Sequence, residues 1–378
     1  MPSMIYLDNA ATTRVAPEVV RVMQRCFEED YANPSSSHEP GLAAARHVEA
    51  ARKSLADVLI CRKEELVFTS GGTEADNLAL FGAASRTRKR TLVVSAIEHP
   101  AVLQAARQLV QKGYTLKVAP VDSTGRVDEE ALHSLVDDDT FIVSIMAANN
   151  EIGTIQDIHR LARQVKKGHP GLLFHTDAVQ FFCKEPLELA DSAVDLVAVA
   201  GHKIHAPKGV GALFVRKGCE LSPQIFGGGQ EQGLRSGTEN VPGIAGLAAA
   251  ADLLHGQRRQ LSTRIRELTD GIRDRLTAEI PDLRVNGHPE HRLAGILSVS
   301  VRGILSQNLM LHLEKEGIVV SAGSACHSQS EKGSHVLQAI GLPEHYATIR
   351  ISASIFNTQE EADHAGRIIA QVVARLRK

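Results

Sequence analysis

Between residues 66 and 216, short apolar and β-branched runs alternate with stretches whose apolar positions recur at helical spacing. The runs LVFTS, TLVVSAI, TLKVAPV, FIVSIM, LLFHT, LVAVA and GALFV predict seven strands. Between several of them lie EADNLALFGAAS, PAVLQAARQLVQKG and IHRLARQVKKG, each opening near a polar residue or proline and often closing near glycine, as helices do. That order predicts an α/β fold with a seven-stranded, mostly parallel sheet and helices on both faces. After Gly243 the pattern becomes one long helical run to about Leu276, then a mixture in which LSVSV, IVVSA and IRISAS read as short strands. A smaller α+β C-terminal domain is expected there. The first dozen residues precede any helical pattern and are expected to pack on or near it, giving a large domain of 13–255 and a small one of 1–12 and 256–378. No internal repeat or low-complexity linker appears.

Composition narrows the function classes. The 378 residues allow two globular units. With 42 Lys plus Arg against 44 Asp plus Glu, the net charge of -2 provides no cationic field for a polyanion, so no direct nucleic-acid partner is expected. The longest apolar candidate, residues 243–254, is broken by Asp252, which argues against a membrane span. Neither a secretory signal nor a lipidation motif is visible, so a cytoplasmic protein is expected. The 5 cysteines are odd in number, widely spaced and free of C-x-x-C, which suits neither a disulfide framework nor a zinc site. At least one thiol is free.

Six segments carry candidate chemistry. TSGGTEADN follows a strand and opens a helix, so Gly71, Gly72 and Thr73 can form a phosphate cradle at a helix N-terminus; a Thr73-x-x-Asp76 capping box is the plainer alternative. LLFHTDAVQ ends a buried strand on Asp177, with Gln180 beyond it. A carboxylate there can hold a protonated ring nitrogen, or simply cap a following helix. LVAVA runs into GHKIHAPKG, placing Lys203 just past a strand end, where desolvation and crowding by cations can lower a lysine pKa and make it a nucleophile toward an aldehyde; a solvated surface lysine is the plainer alternative. His202 and His205 lack a third metal ligand of matching spacing, so no metal is expected. SAGSACHS sets Cys326 in a small-residue loop beside His327, open to a sulfur nucleophile's chemistry, whereas Cys26 lies in an amphipathic helical pattern and reads as core. GGGQEQGLRSGT carries Arg235 and Thr238, and IRISAS carries Arg350; the two arginines are anion grips or surface salt bridges.

The order of these segments resembles the cysteine desulfurase family, within the type I aminotransferase-like fold of pyridoxal 5'-phosphate (PLP) enzymes. The matches run from YLDNAATT and NPSSSH through TSGGTE, EHPAV, NNEIG, TDAVQ, GHK, APKGVGAL and LRSGTEN to GSAC and RIS, nearly the whole chain. The resemblance implies that Lys203 forms the imine with PLP and carries protons, His99 stacks on the pyridine ring and Asp177 pairs with its nitrogen. It further implies that Gln180 meets the ring hydroxyl and that Asn150 contacts the cofactor or substrate. Gly72, Thr73 and His202 would hold the phosphate, with Thr238 reaching across from the second subunit of a homodimer. Asn33 and Arg350 would bind substrate, and Cys326 would be the persulfide-forming nucleophile. The implied reaction is L-cysteine to L-alanine, with sulfur carried on a moving Cys326 loop to an acceptor protein for iron–sulfur cluster, thio-cofactor or tRNA biosynthesis.

Four departures from the family pattern stand out. Ala200 occupies the position three before Lys203 where a serine hydroxyl is common, removing a phosphate donor. His327 follows Cys326 in place of the commoner threonine, which is similar to the selenocysteine lyase branch. Ile355 replaces a frequent second arginine, and the chain stops at Lys378 without the tail some members use to dock a scaffold. Selenocysteine lyase and a non-catalytic sulfur carrier or scaffold-binding protein are therefore the alternatives.

Overall fold

Alternation along the strands decides how the larger sheet is covered. In the computed structural model, which describes residues 4–322, 333–343 and 345–377, the strands are β1 (Ile5–Tyr6), β2 (Leu66–Thr69), β3 (Thr91–Ser95), β4 (Thr115–Ala119), β5 (Thr140–Ser144) and β6 (Leu173–Asp177). They continue as β7 (Leu196–Ala200), β8 (Gly211–Val215), β9 (Arg284–Asn286), β10 (Ile296–Arg302), β11 (Ile318–Val319) and β12 (Tyr346–Ser352). All seven expected strands join one sheet in the order β2-β8-β7-β6-β5-β3-β4, and only β8 runs antiparallel to its neighbours. Leu66, Phe68, Val93, Val143, Phe174, Val197 and Phe214 face one layer, packed with helices Pro17–Glu28, Glu39–Leu59, Ile158–Lys166 and Val241–His255. Their neighbours Val67, Leu92, Val94, Ile142, Leu196, Ala198 and Leu213 face the other, against helices Gly72–Ala84 and Pro100–Gln111. Successive side chains of a strand point to opposite faces, so a sheet covered on both sides needs these continuous apolar runs. Fully burying each large side chain contributes roughly 1.5–3 kcal/mol.

The long helical run expected after Gly243 is two helices, Val241–His255 and Arg258–Glu279. The first is buried on nearly every side within the large core, whereas the second buries only Leu268, Thr269, Ile272 and Leu276 along one stripe. Gln257, with φ of -117°, breaks the helix where these two environments meet. The antiparallel sheet β12-β10-β9 packs with Arg258–Glu279, Ser306–Lys315 and Gln359–Leu376 into a second core. IVVSA forms only the two residues of β11, while the strand containing IRIS begins earlier, at Tyr346. The short β1 and β9 are below the length at which alternation can be read.

Residues 5–13 form a strap between the two cores. Ile5 and Leu7 belong to the second core, β1 pairs with β11, and Asp8 bridges to Ser352. Ala10 belongs to the first core, and the Thr13 N–H and hydroxyl both donate to the His202 carbonyl at 2.9 Å. Among the described residues no helix is long and apolar enough to cross a membrane.

Candidate active site

A cleft of about 290 Å³ opens at the C-terminal ends of the parallel strands, where ligands sit in open α/β sheets. It gathers Gly72, Thr73, His99, Asn150, Asp177, Gln180, His202, Lys203 and Arg350 from segments spread across the chain. Asn33 and Thr238 are exposed and do not line this cleft, and the Asn33 Oδ1 is taken by the Ser35 N–H at 2.9 Å. Cys326 and His327 lie outside the described residues.

The turn after β2 has Gly71 at φ 154°, a backbone state open to glycine, and helix Gly72–Ala84 starts there without a side-chain cap. Its first-turn N–H groups are therefore left to a ligand or water. A Cβ on Gly72 would lie 2.6 Å from Val179 Cγ2, so the glycine permits the close approach of the turn to the segment after β6. The capping box does not form: Gly71 is the cap, and Asp76 is buried. Ala200 lines the cleft and offers no donor.

Asp177 is buried and its Oδ1 accepts the Val179 N–H at 2.9 Å, in a turn rather than a following α-helix. Burial raises its pKa, opposed by the positive ends of His99 and Lys203. His99 caps helix Pro100–Gln111, its Nδ1 accepting the Ala101 N–H at 3.2 Å, which leaves the ring proton on Nε2. Lys203 donates from Nζ to the strap carbonyls of Ala10 at 2.7 Å and Ala11 at 2.6 Å. His202 hydrogen-bonds through Nδ1 with the Thr12 hydroxyl at 3.2 Å, and burial together with neighbouring cations, Lys203 foremost, pushes its pKa down to about 4, so it is a neutral imidazole. His205 turns away to the Arg14 carbonyl, and no group of three or more possible metal ligands exists among the described residues. Arg350 is buried, held by Asp8 Oδ1 at 2.7 Å and the Asn150 carbonyl at 2.9 Å.

Several groups escaped the sequence reading. Asp76 lines the cleft, and its Oδ1 has no hydrogen-bond partner although His175 Nε2 lies 3.4 Å away. Burial, with Asp177 and then Glu98 nearby, raises the Asp76 pKa well above the carboxylate range. Glu98, also fully buried, is pushed up to about 8, while burial pushes His175 down to about 3. His175 interrupts an otherwise apolar strand, the one signal that could have exposed this cluster. Arg235 makes a salt bridge with Glu74 at 2.9 Å, the plainer of its two readings. Cys26 is core, and burial raises the thiols of Cys26, Cys61, Cys183 and Cys219.

Residues 5–364 match the model of the aminotransferase class-V family, so fold and cleft belong to a class of PLP-dependent enzymes. The chain is 42% identical over 99% of its length to a cysteine desulfurase from Nostoc sp., covering 94% of that protein. A solved NifS-like protein superposes with a TM-score of 0.93 at 41% identity, with 99% of this chain and 100% of that one covered. The structure described as SspA in complex with cysteine superposes at 0.83 with 33% identity, covering 93% and 99%. Within the class-V aminotransferases, this chain belongs to the cysteine desulfurase family.

Proposed function

We propose that the chain is a PLP-dependent cysteine desulfurase that converts L-cysteine to L-alanine and carries the sulfur as a persulfide on Cys326 to an acceptor protein in iron–sulfur cluster, thio-cofactor or tRNA biosynthesis. The observation that carries this reading is the meeting of an amine, a buried carboxylate and a buried guanidinium, Lys203, Asp177 and Arg350, in one cleft. The residues fit PLP. An uncapped helix start and Gly72 suit its phosphate, and the unpartnered Asp76 Oδ1 beside Asp177 makes the floor of the cleft receptive to a protonated ring.

When bound, PLP supplies an electron sink for the bond broken at the substrate Cα. Lys203 would hold it covalently through Nζ, Gly72, Thr73 and His202 would hold the phosphate with Thr238 of a second subunit, and His99 would cover the ring. Gln180 would meet the ring oxygen. Asp177 would face the ring nitrogen, where the charges of His99 and Lys203 oppose the effect of burial and favour the carboxylate that such a nitrogen needs. Lys203 Nζ would also serve as the base that takes the proton from the substrate Cα. Asn150 and Arg350 bind the substrate carboxylate side, Arg350 exchanging part of its hold on Asp8. The Cys326 thiolate attacks the substrate sulfur, the carbon–sulfur bond breaks toward carbon, and a returning proton completes alanine. Cysteine plus a thiol thus gives alanine plus a persulfide.

Both flanks of the segment carrying Cys326 are tied to the cleft rim. Ser321 and Arg350 exchange backbone hydrogen bonds at 2.7 and 3.2 Å, and the Ser334 hydroxyl donates to Glu151 at 2.6 Å. Cys326→Ala is expected to abolish sulfide release from cysteine while the bound cofactor keeps its visible absorbance; full turnover in that variant would refute the role. Parallel assays with selenocysteine separate this reading from selenocysteine lyase. The reading also assigns the cofactor to a large domain, 13–255, and the sulfur-carrying loop to a small one, 1–12 with 256–378.

A further inference from the structure

The hydrogen bonds around Gln180 fix which way its amide points. Its Nε2 donates to the Ala10 carbonyl at 2.9 Å, and its Oε1 accepts from Lys184 Nζ at 3.1 Å. An ammonium has only donors and a backbone carbonyl only accepts. The flipped amide would set NH₂ against the ammonium and oxygen against oxygen. Gln180 is 3% exposed, so solvent cannot make good either mismatch. The same Ala10 carbonyl accepts from Lys203 Nζ at 2.7 Å, so Lys184, Gln180, Ala10 and Lys203 form one continuous chain of hydrogen bonds.

The backbone is bent to deliver this lysine. Cys183, just before it, has φ 60°, the left-handed state that non-glycine residues avoid, and such strain concentrates where function demands it. Lys184 lines a small, mainly apolar cavity of about 70 Å³ behind Lys203. Burial, then the charges of Lys203 and Arg350, push its pKa down to about 7. A neutral amine still has N–H donors, and the Ala10 carbonyl still demands one from Gln180, so the amide orientation survives that titration.

We propose that Lys184 is a positioning residue: by occupying the Gln180 oxygen it makes Gln180 present only N–H donors to the cleft, which selects an acceptor oxygen, best an ionised one, on whatever binds there. This rests on the PLP reading above, in which that oxygen is the one on the cofactor ring.

The probe is PLP added to the apo-protein, with the bound cofactor's absorbance followed against pH. A hydrogen bond to the charged form favours it. Lys184→Met, which leaves the amide held by the Ala10 carbonyl alone and so lets the flipped form be populated, is therefore expected to raise the pH midpoint by up to about one unit, the shift of roughly one hydrogen bond. Lys184→Arg, again a pure donor, should return the midpoint to the wild-type value. Lys184→Gln, able to accept as well as donate, should lie between. Midpoints unshifted in both Lys184→Met and Lys184→Gln overturn the inference. A second readout is free of cofactor: in apo-protein carrying ¹⁵N-glutamine, the Gln180 side-chain amide should exchange slowly in wild type and fast in Lys184→Met, and equal rates overturn it too. Wild-type protein that takes up no PLP sinks the cofactor reading, while the exchange measurement still decides the role of Lys184.

Discussion

Burial favours the protonated form of Glu98 in the folded protein. Its Oε1 accepts from the Ser95 hydroxyl at 2.6 Å and the Met146 N–H at 2.7 Å, yet burial outweighs both and raises it from 4.5 to about 8. Between those values the native state binds more protons than the unfolded chain, so stability falls as pH rises through that window. Glu98→Gln, neutral throughout, is expected to flatten the slope of unfolding free energy between about pH 5 and 8; an unchanged slope in urea titrations would place the proton elsewhere. Asp177, Lys203 and Gly72 were legible because a polar or small residue at the end of an apolar strand has few local explanations. Asp76, Glu98 and Lys184 were not, since each has an ordinary one: a helix cap, a neighbour of His99, a solvated lysine. Only the three-dimensional meeting of separate segments gives them partners. Asn33 and Thr238 mark the opposite limit, matching the family motifs while standing outside the cleft of a single chain.

At the scale of elements, the glycine-rich segment 227–238 is anchored from outside itself. Arg52, in helix Glu39–Leu59, grips Glu231 with two hydrogen bonds at 2.7 and 3.0 Å, and the Phe68 N–H adds a third at 2.8 Å. Glu231 and Gln232 both adopt left-handed backbone, at φ 49° and 58°, so these contacts hold a turn the residues would not choose alone. Arg52→Met leaves a carboxylate buried without its cation and is expected to cost about 3–5 kcal/mol in chemical denaturation, with a clearly smaller loss in the Arg52→Met, Glu231→Gln pair. Equal losses would mean that the ion pair contributes nothing of its own. Pattern alone found the seven strands of the large sheet because six are buried on both faces, while the half-exposed edge strand β4 still shows its apolar run between turns. It missed the break at Gln257 because helical periodicity on either side of a two-residue interruption reads as one run.

At the scale of the molecule, aromatic and aliphatic side chains remain uncovered in the isolated chain. Phe226 is 81% exposed, Tyr31 79% and Phe27 62%, and Phe226 abuts the segment that carries Thr238. A second copy of the chain is the partner proposed for that surface, in keeping with the proposal that Thr238 reaches the phosphate site from a second subunit. Sedimentation is expected to give twice the 40.8 kDa chain mass, and Phe226→Glu should shift the protein toward monomer and weaken PLP retention together. A monomeric wild type with firmly bound cofactor would break that link.

The strap has a bearing on how the protein is born. Ile5, Leu7 and Asp8 leave the ribosome well before their neighbours β11 and Ser352, which emerge more than three hundred residues later. Ala10, which holds both Lys203 and Gln180, therefore cannot settle until Ser352, whose hydroxyl accepts its N–H, has been made. The large sheet can assemble while the Lys203 amine still lacks its tether, and the cleft is completed only when the strap docks onto segments made long after it.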